Sequence, residues 1–153
     1  MPTILKLRGA GALSAFRLEK LNSRLALVHS GLRVAAVEFV HFVELERALS
    51  AGESEVLDRL LAYGEAPADR GARGVALVVV PRVGTISPWS SKATDIARPC
   101  GLAAVRRIER GVAYRLEGGE LVARYRSAIV PLLHDRMTET VFEREEEASA
   151  LFR

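Results

Sequence analysis

The sequence predicts an α+β fold, in which two split βαβ units form an α/β sandwich with antiparallel sheets. Three observations support this fold class. Short runs rich in β-branched residues alternate with apolar residues at helical spacing. The order strand, helix, strand, helix occurs twice, in about residues 1–64 and 74–140, on either side of a connection that contains Pro and Gly. The chain has 153 residues, 49% of them hydrophobic and 27% charged, which suits a single domain over residues 1–140.

The first half is predicted to begin with a β-prone run at 3–7. The next apolar residues recur at helical spacing and predict a helix that ends at about His29. Residues 32–45 then form a long strand with apolar side chains on both faces, so we expect both faces to be covered. A second helix is predicted to begin at Ser54 and to end near Gly64.

The second half is predicted to begin with a buried strand at 75–80. Ser87 is expected to cap the following helix, because a proline occupies the first helical position after it. Alternating apolar residues predict a half-buried strand at 108–116. A final helical stripe extends to Met137, and Pro131 inside it should kink or interrupt the helix.

Charge and hydropathy argue against two classes of partner. The net charge is +3 and the pI is near 9.4, but basic and acidic residues are interspersed along most of the chain, so we expect no nucleic-acid partner. The longest apolar run is far shorter than the roughly 20 residues of a membrane-spanning helix, so we expect no membrane partner. The N-terminus lacks a secretory apolar core and the single Cys100 cannot form an internal disulfide, so we expect a cytoplasmic protein.

The residues that most often carry catalysis are scattered along this sequence. Cys100 has no neighbouring histidine to activate it, so we expect a small buried hydrophobic residue. The three histidines, His29, His41 and His134, lack metal-ligand spacing and are expected to be hydrogen-bonded core or interface residues. We therefore predict neither a catalytic residue nor a metal site in this chain.

The stretch 81–95 is the most distinctive part of the sequence. A buried strand leads into a turn and a polar helix start, whose free N–H groups could bind an anion with help from Ser87, Ser90, Ser91 and Lys92. Capping explains the same serines without a ligand and is the favoured interpretation. Trp89 on the first turn is expected to anchor packing against another surface.

This stretch also resembles a known family. The sequence PRVGTISPWSSKATDIA at 81–97, followed by CGL at 100–102, is similar to the N-terminal signature of the large form of phosphoribosylformylglycinamidine synthase, a formylglycinamide ribonucleotide amidotransferase. Further segments resemble the same family in the same order: LSAF at 13–16, EFVHF at 38–42, IERG at 108–111 with Tyr114, and LHDRMTE at 133–139. The resemblance spans nearly the whole chain.

The resemblance implies a role in a multidomain ligase of de novo purine biosynthesis. In such an enzyme, a glutaminase domain releases ammonia and a synthetase domain uses ATP and Mg²⁺ to convert formylglycinamide ribonucleotide to formylglycinamidine ribonucleotide. The family's N-terminal domain resembles a dimer of the small accessory subunit, joins the glutaminase and synthetase domains, and helps to form the ammonia route. We therefore expect those two domains as partners of this chain.

This chain lacks motifs that the complete enzyme has. It contains neither the synthetase motif nor the glutaminase constellation, so we expect it to be inactive alone, to bind no cofactor itself and to belong to a longer polypeptide. Residues 141–153 are interpreted as the start of the linker to the synthetase domain. A stand-alone phosphate-ligand or nucleic-acid-binding α+β module is the alternative.

The resembling segments supply the candidates for interface or channel residues. We expect Trp89 and its neighbours to form an exposed patch that seeks a partner. The candidates are Arg82, Thr85, Ser87, Trp89, Ser90, Ser91, Lys92, Asp95, Arg110, His134, Asp135, Arg136 and Glu139.

Overall fold

The computed structural model describes residues 3–64, 75–143 and 145–152. The described strands are β1 (Thr3–Gly11), β2 (Arg33–Leu45), β3 (Val75–Pro81), β4 (Val105–Glu117) and β5 (Glu139–Phe142). The described helices are α1 (Ala15–Val28), α2 (Ala51–Leu61), α3 (Pro88–Ala97), α4 (Glu120–Arg124), α5 (Arg126–Leu133) and a C-terminal 3-10 helix (Glu145–Phe152). This mixture of antiparallel strands and helices confirms the α+β class.

The strands of both halves form one sheet in the order β1-β2-β4-β3-β5, and every pairing is antiparallel. Each half contributes two neighbouring strands joined through a helix: β1, α1 and β2 in the first half, and β3, α3 and β4 in the second. The long strands β2 and β4 pair along their length, with Val40 opposite Gly111 near the middle. The two halves therefore share a continuous sheet through their longest strands.

Two apolar clusters lie between the helices and one face of the sheet. Leu25 of α1 and Ile129 of α5 are fully buried against the end of β2 where the strand begins. Leu57 of α2 and Ala97 of α3 are buried against the opposite end of β2 and the adjacent part of β4. A central band of this sheet face lies between the two clusters, where Phe39 of β2 is only half-buried.

The opposite face of the sheet carries a third apolar cluster. Val40 and Phe42 of β2 pack there with Val78 of β3, and all three are almost completely buried. Leu151 of the C-terminal 3-10 helix packs into the same cluster with 2% of its surface exposed. Strand β2 is therefore covered on both faces, as its two apolar faces predicted.

The described part of the segment 141–153 packs against the domain. Strand β5 pairs with β3, with Val141 opposite Val79, and the 3-10 helix buries Leu151. The described residues up to Phe152 therefore contact the sheet, and the domain boundary at residue 140 stays a prediction. The expected connection between the halves, residues 65–74, lies outside the described residues.

Two helix predictions need correction. Helix α2 begins three residues before Ser54, because Ser50 and Glu53 form a capping box that satisfies the first turn. The final helical stripe is broken at Tyr125, whose ring packs against His29 with centroids 5.4 Å apart, and Pro131 lies inside α5. Met137 is outside any helix and 68% exposed.

Two burial predictions were also wrong. Cys100, expected to be a buried hydrophobic residue, is exposed in the turn after α3. The strand at 108–116, predicted to be half-buried, is more buried than expected at Glu109, which is fully buried; hydrogen bonds from Ser87 and Arg107 offset the desolvation of its carboxylate. Among the helices described, none has the length and apolar character needed to cross a membrane.

Candidate functional site

The start of α3 is capped from within the motif stretch 81–95. Ser87 Oγ accepts a hydrogen bond from the Ser90 N–H at 3.0 Å, and Pro88 occupies the first turn. The Ser87 hydroxyl in turn donates to Glu109 Oε1 at 2.8 Å. The predicted N-cap is confirmed, and the Ser87 hydroxyl both accepts and donates a hydrogen bond.

Helix α3 also closes one edge of strand β4. Strand β3 pairs with β4 only over Val112–Leu116, so the preceding part of β4 meets α3 on that side. The Ser90 hydroxyl donates to the Ile108 carbonyl, and the Ile108 N–H donates to Thr94 Oγ1 at 3.1 Å. These side chains replace the bonds that a neighbouring strand would make.

A buried ion pair lies beneath the start of α3. Glu109 is 0% exposed, and its Oε2 accepts from the Arg107 guanidinium at 2.7 Å. Its Oε1 accepts from the Arg110 main-chain N–H at 3.2 Å as well as from Ser87. A buried carboxylate, paired with Arg107, therefore lies beside the cap of α3.

Arg110 lies in the central band on the helical face of the sheet. Its guanidinium carbon is 4.2 Å from the ring centroid of Phe39 and 4.6 Å from that of Trp89. Its Nη1 donates to the Tyr63 hydroxyl at 3.2 Å. This aromatic–arginine cluster joins β2, α3, β4 and the segment after α2 through cation–π and hydrogen-bond contacts.

His41 is the buried member of the same cluster. It is 0% exposed, and its Nε2 lies 2.6 Å from the Tyr63 hydroxyl. Because Tyr63 accepts from Arg110, its own proton is available to a neutral His41. Burial, reinforced by the positive charge of Arg110, lowers the pKa of His41 to about 4. His41 is therefore an uncharged, hydrogen-bonded core histidine near neutral pH, as expected.

A surface groove lies where the motif stretch meets the turn before β5. The Arg82 N–H donates to the Thr138 carbonyl at 2.9 Å and joins the two segments. The groove encloses about 490 Å³. Ile86 and Met137 line it and are 64% and 68% exposed. Two segments that are distant in sequence thus build one apolar surface.

The other candidates near this groove stabilise the turn or face solvent. His134 Nδ1 lies 2.8 Å from the Val130 carbonyl. Asp135 Oδ1 accepts from the Met137 N–H, and Glu139 Oε1 accepts from the Asp135 N–H, both at 2.9 Å. The candidates that are exposed on α3 or on the turn are Ser91, Lys92, Asp95 and Arg136.

The thirteen candidates therefore lie in several places. Ser87 and Ser90 hold α3 to β4, and Trp89 and Arg110 belong to the aromatic–arginine cluster. Arg82, Thr85 and Glu139 line the groove, as does Ser87. The others lie on the exposed surface of α3 (Ser91, Lys92 and Asp95) or in the segment before β5 (His134, Asp135 and Arg136). Sequence reasoning missed Arg107 and Glu109 as partners. Their i, i+2 spacing on a strand was the available signal, since it places both on one face.

Over residues 3–64, 75–143 and 145–152, no cluster of three or more His, Cys, Asp or Glu side chains is arranged to hold a metal ion. Within the motif, Ser87 caps α3 and donates to the carboxylate of the buried Glu109, and Ser90 and Thr94 close the edge of β4. Fold and site together define a class of protein: an α+β domain of two strand–helix–strand halves on a shared antiparallel sheet, with an apolar groove beside its most distinctive sequence.

Residues 38–152, about three quarters of the chain, match the family model for the N-terminal region of formylglycinamide ribonucleotide amidotransferase. The chain belongs to this family and has its role in the amidotransferase of purine biosynthesis. The match includes the whole motif stretch, β4 and the C-terminal 3-10 helix, so it covers the entire site described above.

Proposed function

We propose that this domain is a scaffold that joins the glutaminase and synthetase domains of the amidotransferase and helps to form the ammonia route between them. The reaction it serves converts formylglycinamide ribonucleotide, glutamine and ATP to formylglycinamidine ribonucleotide. The synthetase domain would bind ATP and Mg²⁺, and this domain would contribute surface and no catalytic group. The family match is the observation that carries the proposal.

The surface of the domain supports docking. Ile86 and Met137, which line the groove, are 64% and 68% exposed. Apolar side chains collected on one surface favour burial against a partner. Trp89, predicted to lie in the exposed patch, is half-buried against Arg110 and His41, so the docking surface is the groove itself. We assign the groove to a neighbouring domain of the same enzyme.

The alternative of a phosphate-binding module has less support. The hydroxyls of Ser87 and Ser90 are both committed as donors within the domain, and Glu109 places a carboxylate beside the helix start. A nucleic-acid module that uses an open sheet face is disfavoured for a similar reason. Leu151 of the 3-10 helix packs on the face opposite the helices.

The proposal is tested with the remaining domains of the enzyme, prepared without this one. Glutamine-dependent and ammonia-dependent synthesis are measured separately, with and without the domain added in trans. We expect the domain to restore glutamine-dependent synthesis while showing no activity alone. If the other domains couple glutamine to synthesis equally well without it, the scaffold role is wrong.

A variant pair localises the docking surface. Ile86→Asp places a charge in the groove and should abolish restoration, because the carboxylate must be desolvated on docking. Leu27→Asp is the matched control, since Leu27 is 88% exposed on α1 and lies outside the family match. Equal loss in both variants would show that the groove has no special part in docking.

A further inference from the structure

One guanidinium joins two segments that are far apart in the sequence. Arg107 Nη1 donates to the Leu151 carbonyl at 2.6 Å, and Nη2 donates to the Thr85 carbonyl at 3.0 Å. The guanidinium carbon also lies 5.2 Å from the ring centroid of Phe152. The C-terminal 3-10 helix and the turn before α3 therefore share a single side-chain anchor.

A buried carboxylate holds this anchor in position. Arg107 is paired with the fully buried Glu109 at 2.7 Å, and only 17% of the arginine side chain is exposed. Glu109 also accepts from Ser87, so the ion pair is bonded to the cap of α3. The planar fork of arginine can donate to a carboxylate and two carbonyls at once.

The two segments differ in how they are otherwise held. Leu151 is 2% exposed within the apolar cluster on the sheet face, which seats the end of the 3-10 helix. Thr85 is exposed, and its main-chain N–H donates to the Arg82 carbonyl in a local turn. The turn thus receives its link to the C-terminal segment through Arg107.

We propose that Arg107 is a positioning residue. Through it, the order of the groove turn, residues 85–88, depends on whether the C-terminal 3-10 helix is seated on the sheet. Glu109 holds the arginine in place, and the carbonyl of the seated Leu151 completes the orientation of its guanidinium toward the Thr85 carbonyl. The Thr85 side of the groove is then ordered when residues 145–152 are in place. The coupling is a property of this domain, and its consequence for docking rests on the proposed function.

Two changes test the coupling in the 153-residue chain. Arg107→Lys keeps a positive charge beside Glu109 but replaces the fork with a single ammonium, which cannot hold both carbonyls in the same geometry. The control is Arg106→Lys, because Arg106 is 51% exposed and its nearest carboxylate contacts are 3.8 and 3.9 Å. The second change ends the chain after Glu143 and leaves Arg107 and Glu109 intact.

The readout is amide hydrogen exchange, residue by residue. The informative amides are those of Thr85 and Ser90, which donate to the Arg82 carbonyl and to Ser87 Oγ. We expect truncation and Arg107→Lys each to speed their exchange by about tenfold or more, while amides of the central strands β2 and β4 stay within about twofold of wild type. Arg106→Lys should leave both groups unchanged.

Two results would overturn the coupling. One is exchange at Thr85 and Ser90 that stays at the wild-type rate after truncation. The other is exchange that accelerates equally in the central strands, which would indicate general destabilisation. If Arg107→Lys fails to fold, the truncated chain decides the question alone. The trans-complementation assay is independent, so coupling without restoration would refute only the proposed function.

Discussion

The main-chain N–H of Ile108 donates to the Thr94 hydroxyl oxygen at 3.1 Å, and this bond joins strand β4 to helix α3. Ser90 lies one turn earlier on the same helix, and its hydroxyl donates to the main-chain carbonyl of Ile108. Two hydroxyls at i, i+4 spacing thus satisfy both polar groups of one strand residue. A helix completes a sheet edge here, and the motif residues are part of the fold.

Removing the Thr94 acceptor should therefore destabilise the domain. Thr94→Val conserves shape but leaves the Ile108 N–H without its bond, and we expect a loss of about 1–3 kcal/mol in the free energy of unfolding. Urea unfolding followed by circular dichroism measures the change. The control is Ser91→Ala on the exposed face of α3, expected to fall within about 0.5 kcal/mol of wild type. Equal effects would refute the edge-closing role.

Gly111 should resist substitution because three atoms surround it. A Cβ there would lie 3.0 Å from the Val79 carbonyl oxygen, 3.0 Å from Val80 Cγ1 and 3.3 Å from Phe42 Cε2. We expect Gly111→Ala to destabilise the domain by about 1–3 kcal/mol. Gly52→Ala is the matched control, since nothing lies within 4 Å of its Cβ position in α2. That change should stabilise the domain by up to about 1 kcal/mol; the reverse order would contradict the central packing.

The aromatic–arginine cluster can be followed through Trp89, the single tryptophan of the chain. Arg110→Ala removes the cation that lies 4.6 Å from the indole centroid and admits water to that face. We expect tryptophan emission to shift to longer wavelength and stability to fall by about 0.5–2 kcal/mol. Arg106→Ala, which changes an arginine outside the cluster, should leave the emission maximum in place. An unchanged spectrum in Arg110→Ala would refute the stacked geometry.

His41 should make stability depend on pH below neutrality. Its folded-state pKa of about 4 is lower than the ordinary value of 6.5, so between these values the unfolded chain binds more protons than the folded one. Stability is therefore fully present above about pH 6.5 and is lost as pH falls toward 4. Between pH 7 and 5 the loss should be about 2 kcal/mol.

A variant pair isolates this contribution. His41→Gln removes the titrating group, so its free energy of unfolding should be nearly flat over the same interval apart from the response of the other groups. His29→Gln is the control, because it removes an imidazole that packs beside Tyr125 and does not belong to the aromatic–arginine cluster; we expect this variant to retain the wild-type slope. A His41→Gln variant with an unchanged slope would assign the pH dependence elsewhere.

Local patterns predicted most of the architecture. Period-two and helical spacing located β2 and α1, and the serine–proline pair at 87–88 located the start of α3, because capping and burial act within a few residues. The motif stretch 81–95 likewise predicted the family that the chain matches. The start of α2 was placed too late, because the favourable cap at Ser50 was overlooked.

The site depended on contacts that local patterns do not specify. Arg107 reaches Leu151, 44 positions away, and Arg110 reaches Tyr63, 47 positions away. Glu109 lies on a strand predicted to be half-buried, yet it is fully buried, with hydrogen bonds from Ser87, the cap of α3, and from Arg107 of its own strand. Such contacts exist only after the sheet has brought distant segments together.

The sequence by itself determined the order of elements, the two-part layout, the cap of α3 and the family. These follow from local propensity and apolar periodicity, which act over one or two turns of chain. Only the tertiary structure decided that both halves share one sheet, that Trp89 faces Arg110, and that the groove forms between residues 81–88 and 137–139. The physical reason is that burial and hydrogen-bond satisfaction are properties of the assembled core, where the partner of each group is chosen by space and not by sequence distance.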